Sequence, residues 1–260
     1  MENKKILLTD LDGTFVMNSH SISENALKAF NELNKNFIMG VATGRSLKEI
    51  EYLEKENNIH FDIHVAFNGS LLRGKNNEIL VDNPLKHDDL CQILNYLNEN
   101  NITFDALDGI ERIGNYKTKD VKRLWGMNLI TLDDPFERVR GMNVYKINVR
   151  PGKKNFDKIF EEMNSMFPKL SIYEGGTQQR IEISAENSSK GTAVNYLKSK
   201  YNKAVIVVGD SGNDAPMFEK ADVSFCISHA KSNVKNKADQ SIENFAEVPI
   251  KLNSIYKEVI

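Results

Sequence analysis

Hydrophobic and polar residues follow two different rhythms along this chain. Near its start, short apolar runs typical of buried strands alternate with segments whose apolar residues recur at helical spacing. Strands are predicted at Lys5–Thr9, Phe37–Ala42 and Ile63–Phe67, with helices between them that end near Asn36 and span Ser46–Asn57. Strand, helix, strand, helix, strand is the pattern of a parallel sheet with right-handed crossovers.

The rhythm changes after Asn68-Gly69. A hairpin is predicted from Leu71 to Val81, because two apolar runs flank the turn residues Gly74-Lys75-Asn76-Asn77. Beyond it, the pattern predicts helices at 88–100 and 156–167 and extended segments at 102–107, 143–149, 170–173 and 180–183. Helices flanked by pairs of strands favour an α+β unit that does not continue the parallel sheet.

The first rhythm returns at Ser189, with a helix that runs to about Tyr201 and then an apolar strand, Ala204–Val208. A short helix at 213–220 and a strand at Val223–Ile227 follow. We therefore predict an α/β fold with a Rossmann-like parallel-sheet core. The core takes residues 1–81 and 188–260, and an α+β domain, residues 82–187, is inserted into it. The first helix is expected to begin at a capping box of Ser21 and Glu24.

Charge and composition exclude several classes of protein. The 260 residues include 34 Lys or Arg and 36 Asp or Glu, so the formal net charge is −2. A near-neutral chain is not expected to take nucleic acid as its partner, because such affinity comes largely from neutralised phosphates. This balance allows the binding of one small anion. The content of 40% hydrophobic and 27% charged residues is typical of a globular protein.

Neither a disulfide scaffold nor a membrane segment is expected. Cys91 and Cys226 are the two cysteines, and neither lies in a metal-ligand or redox motif. No apolar run approaches the roughly 18 residues of a membrane span. Asp10 and Asp12 interrupt the apolar stretch near the N-terminus that could resemble a signal peptide. We therefore expect a cytoplasmic protein without a membrane partner; its oligomeric state cannot be read from the sequence.

Acidic residues follow two of the predicted parallel strands. Asp10 and Asp12 come after the first strand, and Asp210 and Asp214 come after the strand Ala204–Val208. In an open parallel sheet, ligands bind beyond the carboxyl ends of the strands. If these strands are neighbours, the four carboxylates converge and repel one another unless a cation compensates them. Their oxygen donors favour a hard ion, and Mg²⁺ is the expected cofactor.

Two further signals point to an anion at the same edge. Thr43-Gly44 follows the second strand, where a hydroxyl and a backbone N–H can bind an anion. Lys190 begins a helix, so its charge and the positive helix end can hold the same group. Each signal alone is more often a turn or a solvated side chain. The hypothesis of a site depends on their common position at strand ends and helix starts.

These motifs resemble those of the haloacid dehalogenase superfamily, specifically the Cof-type subfamily IIB phosphatases. The matching segments are Asp10-Leu11-Asp12-Gly13-Thr14, Thr43-Gly44-Arg45-Ser46, Lys190-Gly191 and Gly209-Asp210-Ser211-Gly212-Asn213-Asp214. The resemblance covers essentially the full length. It implies that the inserted segment, which lies between the second and third motifs, is the large cap domain (C2B type) of this branch.

The resemblance also implies a role for each residue of the site. Asp10 would attack phosphorus, and Asp12 would act as general acid and base. Mg²⁺ would be held by Asp10, the main-chain carbonyl of Asp12 and Asp210, with Asp214 supporting them. The residues implied to hold the phosphoryl group are Leu11, Thr43, Gly44, Lys190 and Asn213.

The function so implied is Mg²⁺-dependent hydrolysis of phosphomonoesters of small metabolites, with sugar phosphates as the expected class. Two alternatives stay open from the residues. A phosphomutase would pass the phosphoryl group from Asp10 to a sugar hydroxyl, and a phosphate-binding protein would keep the fold without turnover. Asp12 argues against the second alternative, because a pure binder needs no acid and base. Dinucleotide oxidoreduction is disfavoured, since no G-x-G-x-x-G follows the first strand.

Other conspicuous residues are interpreted as structural. Trp125, with the nearby Arg123, is expected to anchor the inserted domain rather than to stack on a substrate. The histidines show no ligand spacing; they are His20, His60, His64, His87 and His229. The charged residues of the insert are expected on a solvated face, although they are plausible substrate contacts; they are Arg112, Lys117, Arg180 and Glu182.

Overall fold

The computed structural model describes residues 4–17, 21–120, 124–175 and 180–256. The strands are β1 (Lys5–Thr9), β2 (Phe37–Ala42), β3 (Ile63–Ala66), β4 (Leu71–Arg73), β5 (Ile79–Asp82), β6 (Thr103–Leu107), β7 (Glu111–Gly114), β8 (Asn128–Thr131), β9 (Lys146–Arg150), β10 (Ser171–Gly175), β11 (Arg180–Ser184), β12 (Val205–Gly209), β13 (Val223–Ile227) and β14 (Gln240–Ile242). The α-helices are α1 (Glu24–Asn36), α2 (Leu47–Asn57), α3 (His87–Glu99), α4 (Phe136–Arg140), α5 (Phe156–Met166), α6 (Lys190–Tyr201), α7 (Ala215–Phe218), α8 (Ser232–Lys235) and α9 (Val248–Tyr256).

Both ends of the chain contribute to one sheet of eight strands, the large sheet. Its order is β14-β13-β12-β1-β2-β3-β4-β5. The six strands from β14 to β3 pair in parallel, and β4 and β5 add an antiparallel hairpin at the edge. Thr9 of β1 pairs with Val208 of β12, 199 residues further along the chain, so the two strands lie side by side at the centre. The predicted α/β architecture with a parallel-sheet core is confirmed.

Alternation along the central strands explains why the large sheet is covered on both faces. Leu7 of β1 packs in a cluster with α1, and its neighbours Ile6 and Leu8 pack in a second cluster with α6. In β12, Val208 belongs to the first cluster and Val207 to the second. A strand buried on both faces is apolar throughout, which is why these strands are visible in the sequence.

The middle of the chain forms a second sheet of six strands, the small sheet, in the order β10-β11-β9-β6-β7-β8. All of its pairings are antiparallel except that of β7 with β8. In β9, Ile147 and Val149 pack against α3 and α5, and Lys146, Asn148 and Arg150 alternate with them on the other face. The boundaries of an inserted domain at 82 and 187 stay a prediction.

Helix α1 begins later than the predicted capping box requires. Ser23, not Ser21, is its N-cap, and the Ser23 hydroxyl accepts a hydrogen bond from the backbone N–H of Ala26 (3.2 Å). This start places Ile22 just before the cap and Leu27 in the first turn, and both join the same hydrophobic cluster. The pairing of apolar residues on either side of the cap fixes the entry of the chain into the helix.

Among the described residues, none of the helices combines the length and the apolar character that crossing a membrane requires. Cys91 and Cys226 are free thiols.

Candidate active site

Three carboxylates meet where β1 and β12 end. Asp10 follows β1 and Asp210 follows β12, and the parallel register pairs Thr9 with Val208. The backbone N–H of Asp10 donates to the carbonyl of Val208 (2.8 Å), which continues the ladder to the edge of the sheet. The carboxylate oxygens of Asp10, Asp210 and Asp214 lie within 4.8 Å of one another. The predicted convergence is thus found for these three acids.

Gly13 makes room for this arrangement. Its φ is +95°, a conformation that side chains disfavour. A Cβ at this position would lie 2.5 Å from Oδ2 of Asp210. The next residue, Thr14, donates from its hydroxyl to Oδ1 of Asp210 (2.8 Å). The turn after β1 therefore both admits and orients the carboxylate that comes from β12.

Lys190 lies among the acids and is fully buried, so it is not a solvated lysine. Ser189 caps α6 through a capping box with Thr192, which fixes the position of Lys190 at the first turn. The Lys190 Nζ donates to Oδ1 of Asp10 and to Oδ1 of Asp214, each at 2.6 Å. Burial lowers the pKa of Lys190, but the two carboxylates outweigh it and raise the pKa above its usual value. The ammonium group therefore stays charged.

Asp214 organises the loop after β12. Its Oδ2 accepts hydrogen bonds from the backbone N–H groups of Asp210 and Ser211, both at 2.9 Å. Its Oδ1 accepts from Lys190, and the residue is fully buried. A carboxylate with this many protein donors holds the loop and the lysine in place. The supporting role of Asp214 at a metal site stays a prediction.

The charge of the cluster suits a bound cation. Burial raises the pKa of Asp10 well above its usual value, and Lys190 opposes this while Asp214 and Asp210 add to it. Burial and the charge of Asp214 also raise the pKa of Asp210. Three acids accompany one ammonium group, so a divalent ion would compensate the remaining repulsion. The donor set consists of carboxylate oxygens, which is the set that Mg²⁺ prefers.

Asp12 lies at the same turn, but its carboxylate is directed to Arg45. The Arg45 guanidinium donates to Oδ2 from Nε (2.9 Å) and to Oδ1 from Nη2 (2.6 Å). The Asp12 side chain is 43% exposed, whereas that of Arg45 is 4% exposed. Arg45 also stacks on Trp125, 4.0 Å from the ring centroid. Trp125 thus contacts the core, as expected of an anchor, while Arg123 lies outside the described residues.

The predicted phosphate-binding residues line the same edge. Thr43 follows β2, is buried, and accepts a hydrogen bond at its hydroxyl from the backbone N–H of Arg45 (3.2 Å). Leu11 is buried in the turn after β1, and its carbonyl accepts from Phe15 and Val16. Asn213 lies in the loop after β12. The structure therefore brings together loops that follow three adjacent strands, β12, β1 and β2.

Sequence reasoning missed Lys146 and Asn68 at this edge of the large sheet, and it treated Glu182 only as a plausible substrate contact. Glu182 of β11 and Lys146 of β9 reach it from the small sheet: Lys146 donates to the carbonyl of Gly44 (2.5 Å). Asn68 donates to Oε2 of Glu182 (3.0 Å) and accepts from Asn213 (2.9 Å). The alternation of polar residues in β9 was the signal that could have indicated a functional face.

The expectation of a solvated face is wrong for Arg112 and Glu182, which are buried, and holds for Lys117, whose side chain is 74% exposed. Ion pairs make that burial tolerable.

Among the histidines, His229 lies 3.1 Å from Oδ2 of Asp210, and no spacing in the sequence indicated this. His20 lies outside the described residues.

The family model for haloacid dehalogenase-like hydrolases matches residues 7–249. The chain belongs to this family, and its assignment to the Cof-type hydrolases of the haloacid dehalogenase superfamily is confirmed. The prediction of an enzyme of the phosphatase type is also confirmed.

One curated relative is a phosphoglycolate phosphatase from Thermoplasma volcanium, 24% identical over 243 residues that cover 90% of each chain. Among solved structures, a HAD/COF-like hydrolase from Plasmodium vivax aligns with a TM-score of 0.84 and 22% identity, covering 98% of this chain and 97% of the other. A subclass IIB sugar phosphatase aligns with a TM-score of 0.79 and 18% identity, covering 99% of this chain and all of the other. These structures share the fold.

Proposed function

We propose that this enzyme hydrolyses phosphomonoesters of small metabolites through an aspartyl-phosphate on Asp10, with Mg²⁺ as cofactor. The observation that carries the proposal is the buried Asp10 carboxylate, bound by Lys190 and flanked by Asp210 and Asp214 at the end of the central strands. Sugar phosphates are the expected class of substrate. One relative acts, by its name, on phosphoglycolate and one structural neighbour on sugar phosphates, and both are small phosphorylated metabolites.

In the first step, a carboxylate oxygen of Asp10 attacks phosphorus and the bond from phosphorus to the ester oxygen breaks. Asp12 gives its proton to that departing oxygen, so the alcohol leaves neutral. The product on the enzyme is an acyl phosphate, and the covalent route divides one difficult displacement into two. Asp12 suits this role because its side chain is more exposed than that of Asp10 and can meet the leaving group.

In the second step, the carboxylate of Asp12 takes a proton from water as the water oxygen attacks phosphorus. The bond between phosphorus and Asp10 breaks, and inorganic phosphate is released. Asp12 must first turn away from Arg45, whose two hydrogen bonds hold it in the present conformation. After this step Asp12 again carries the proton that it gives to the leaving oxygen in the next turnover.

Asp10, Asp210 and the main-chain carbonyl of Asp12 would hold Mg²⁺, and Asp214 would fix the loop that carries Asp210. When bound, the ion neutralises charge that builds up on the transferring phosphoryl oxygens. The raised pKa values of Asp10 and Asp210 support this assignment, since their cause is the crowding and burial of negative charge.

The phosphoryl group would be bound by fixed donors that surround Asp10. These are the Lys190 ammonium, the Thr43 hydroxyl, the Asn213 amide and the backbone N–H groups at Leu11 and Gly44. Donors that are already in place stabilise developing charge best, because no reorganisation is needed during the reaction.

We further propose that residues 82–187 act as a cap over this site and that 1–81 and 188–260 form the catalytic core. The contacts of Lys146 and Glu182 with the loops at Gly44 and Asn68 support this division. The proposed partner is the metabolite, without nucleic acid or membrane, and the proposed location is the cytoplasm.

The nucleophile is tested by Asp10→Asn. We expect this variant to lose activity on an aryl phosphate by roughly 10³-fold or more, because the amide cannot form the acyl phosphate. Release of inorganic phosphate from p-nitrophenyl phosphate is measured in the presence of Mg²⁺. Asp88→Asn, at an exposed position of α3, is the matched control and should keep wild-type activity. A folded Asp10→Asn protein with wild-type turnover would rule out the covalent route.

The cofactor is tested by comparing Asp210→Asn with Asp214→Asn. Chelation should stop hydrolysis, and Mg²⁺ should restore it. We expect Asp210→Asn to weaken Mg²⁺ binding by roughly 100-fold and Asp214→Asn by about 10-fold, because only the first is a direct ligand. Calorimetric titration of Mg²⁺ measures this independently of turnover. Full activity in excess chelator, or equal affinities in the two variants, would contradict the assignment.

A further inference from the structure

The polar face of the small sheet carries charges in an ordered pattern. The register places Asn148 of β9 opposite Asp105 of β6 and opposite Glu182 of β11, so the two acids flank it in the same row. Lys146 and Arg150 lie two residues away on β9, one on each side of that row. Along the strand direction, the row that contains Asp105 and Glu182 thus has Lys146 on one side and Arg150 on the other.

This face packs on the loops of the proposed site. Lys146 contacts the carbonyl of Gly44, and Glu182 accepts from Asn68. A Cβ at position 44 would lie 2.8 Å from Oε2 of Glu182, so the sheet approaches the backbone of the loop closely. The polar face therefore lies against the loops at Gly44 and Asn68 that border the proposed site.

One half of the charge pattern is balanced. Arg112 pairs with Glu49 of α2 (2.6 Å) and lies 3.8 Å from Asp105. Arg150 pairs with the other oxygen of Asp105. Two guanidinium groups here face two carboxylates, and all four side chains are buried or nearly so.

The other half has a surplus of positive charge. Lys146 lies 3.5 Å from Oε1 of Glu182, and Arg180 donates to the same oxygen. Among the described residues, Glu182 is the one carboxylate that these two cations share in an ion pair. Within the part of the chain that the structure describes, two cations therefore share one ion-paired carboxylate on this half of the face.

Two observations indicate that an anion could bind at this point. The Nε–H of Arg180 is buried and has no hydrogen-bond partner within the part of the chain that the structure describes. Burial lowers the pKa of Lys146, and the charge of Arg180 adds to this against the opposing effect of Glu182. An unsatisfied buried donor and crowded cations are both costly, and a bound anion relieves both.

We propose that Lys146 and Arg180 bind a second anionic group of the substrate, a carboxylate or a further phosphate carried by the leaving group. The inference rests on the proposed function and narrows its substrate class to phosphorylated acids and bisphosphates, including those derived from sugars. A neutral leaving group would leave the surplus charge and the Arg180 Nε–H uncompensated. Glu182 contacts both cations through Oε1 and so keeps them next to each other.

The test compares substrates that differ only in the second charge. The ratio of kcat/KM for 3-phosphoglycerate to that for glycerol 3-phosphate isolates a carboxylate, and the ratio for glucose 1,6-bisphosphate to glucose 6-phosphate isolates a phosphate. We expect at least one ratio to exceed about 10, because charge-assisted hydrogen bonds are roughly twice as strong as neutral ones. The ratio that is high identifies the anion. If neither anionic substrate is preferred by the wild-type enzyme, the proposal is overturned.

The variant Arg180→Gln tests whether Arg180 causes the preference for the substrate with the second anionic group. It should bring the high ratio down to near 1, whereas Arg138→Gln, an exposed cation of α4 on the same unit, should leave the ratio as in wild type. A ratio that Arg180→Gln does not change would refute the role of Arg180. Lys146→Met is the second variant, with the same expected loss of preference, should Arg180→Gln fail to fold.

Failure of the proposed function is recognised separately. An enzyme that hydrolyses no phosphomonoester, including p-nitrophenyl phosphate, would contradict the proposed function, and binding then tests the second-anion site. Calorimetric titration of the wild-type protein with the same four compounds should again give about tenfold tighter binding of an anionic member of a pair. Equal binding within both pairs would overturn the second-anion site itself.

Discussion

At the scale of single residues, Lys190 holds the site together. Its ammonium group bridges the proposed nucleophile and the carboxylate that orders the loop after β12. Because Lys190, Asp10 and Asp214 are buried, bulk water does not solvate these three groups, and they depend on one another for charge compensation. Removing one member of such a group leaves the others unpaired, and this is far more costly than losing a surface ion pair.

We therefore expect Lys190→Met to reduce the free energy of unfolding by about 3–5 kcal/mol as well as to abolish turnover. Urea denaturation of the metal-free protein measures the change.

Lys198→Met is the matched control, because Lys198 pairs with Asp222 at the surface of the same helix and should contribute less than about 1 kcal/mol. A Lys190→Met protein as stable as this control would show that the buried cluster does not depend on the lysine.

The sequence was sufficient to predict the site residues that directly follow buried strands. It was not sufficient to predict the side chains that contact them from distant parts of the chain. Asp10, Thr43 and Asp210 are identified by their position after strands whose apolar character is plain. The contact of Asn68 with Glu182 joins residues 114 positions apart, and nothing local in either segment indicates it. The pairing of Asp12 with Arg45 likewise depends on how two loops meet at the edge of the large sheet.

At the scale of elements, burial decides which strands can be recognised. The strands β1, β2, β3, β12 and β13 of the large sheet are apolar because both of their faces are covered, so their positions were predicted within a few residues. The short edge strand β14 was not predicted. β7 was missed: it is short and reads Glu-Arg-Ile-Gly, and its Arg112 is buried only because Glu49 lies opposite it. A strand whose inner face is charged and paired has no hydrophobic alternation by which it could be found.

The charged face of the small sheet gives a pH dependence. Burial raises the pKa of Glu49, of Asp105 and of Glu182, but neighbouring cations outweigh it and lower each pKa below its usual value. In the unfolded chain these acids take up protons near their ordinary pKa values. The stability that they contribute is therefore complete above those values and is lost as the pH falls through the lowered ones.

We accordingly expect the free energy of unfolding to fall by several kcal/mol between about pH 5 and pH 2, measured by urea denaturation at each pH. Glu182→Gln should make this fall less steep, since one of the three acids no longer titrates. The exposed Glu161→Gln is the control and should follow the wild-type profile. A profile for Glu182→Gln that is as steep as that of the wild type would contradict the lowered pKa of Glu182.

At the scale of the whole molecule, the residues proposed for chemistry and those proposed for substrate selection come from different stretches of chain. The carboxylates and Lys190 belong to strands and helices from the two ends, and the residues that we propose to contact the leaving group belong to the middle. The sequence sufficed to predict this organisation because the rhythm of apolar residues changes and returns. It did not suffice for the packing of the small sheet on the large one, since that depends on long-range ion pairs such as Arg112 with Glu49.

The two connections between the sheets lie side by side. The Asn83 amide donates to the carbonyl of Glu186 and to the hydroxyl of Ser188, both at 2.9 Å, so the outgoing and returning segments are tied together. A splice of a few residues at this point would rejoin the chain without disturbing β5 or α6. The spliced chain would lack Lys146, Arg180 and Glu182, and it would keep Asp10, Lys190 and Asp210. The fold therefore offers a natural seam, at which a recombination event or a protein engineer can exchange the unit proposed to select the substrate and leave the proposed catalytic unit as it is.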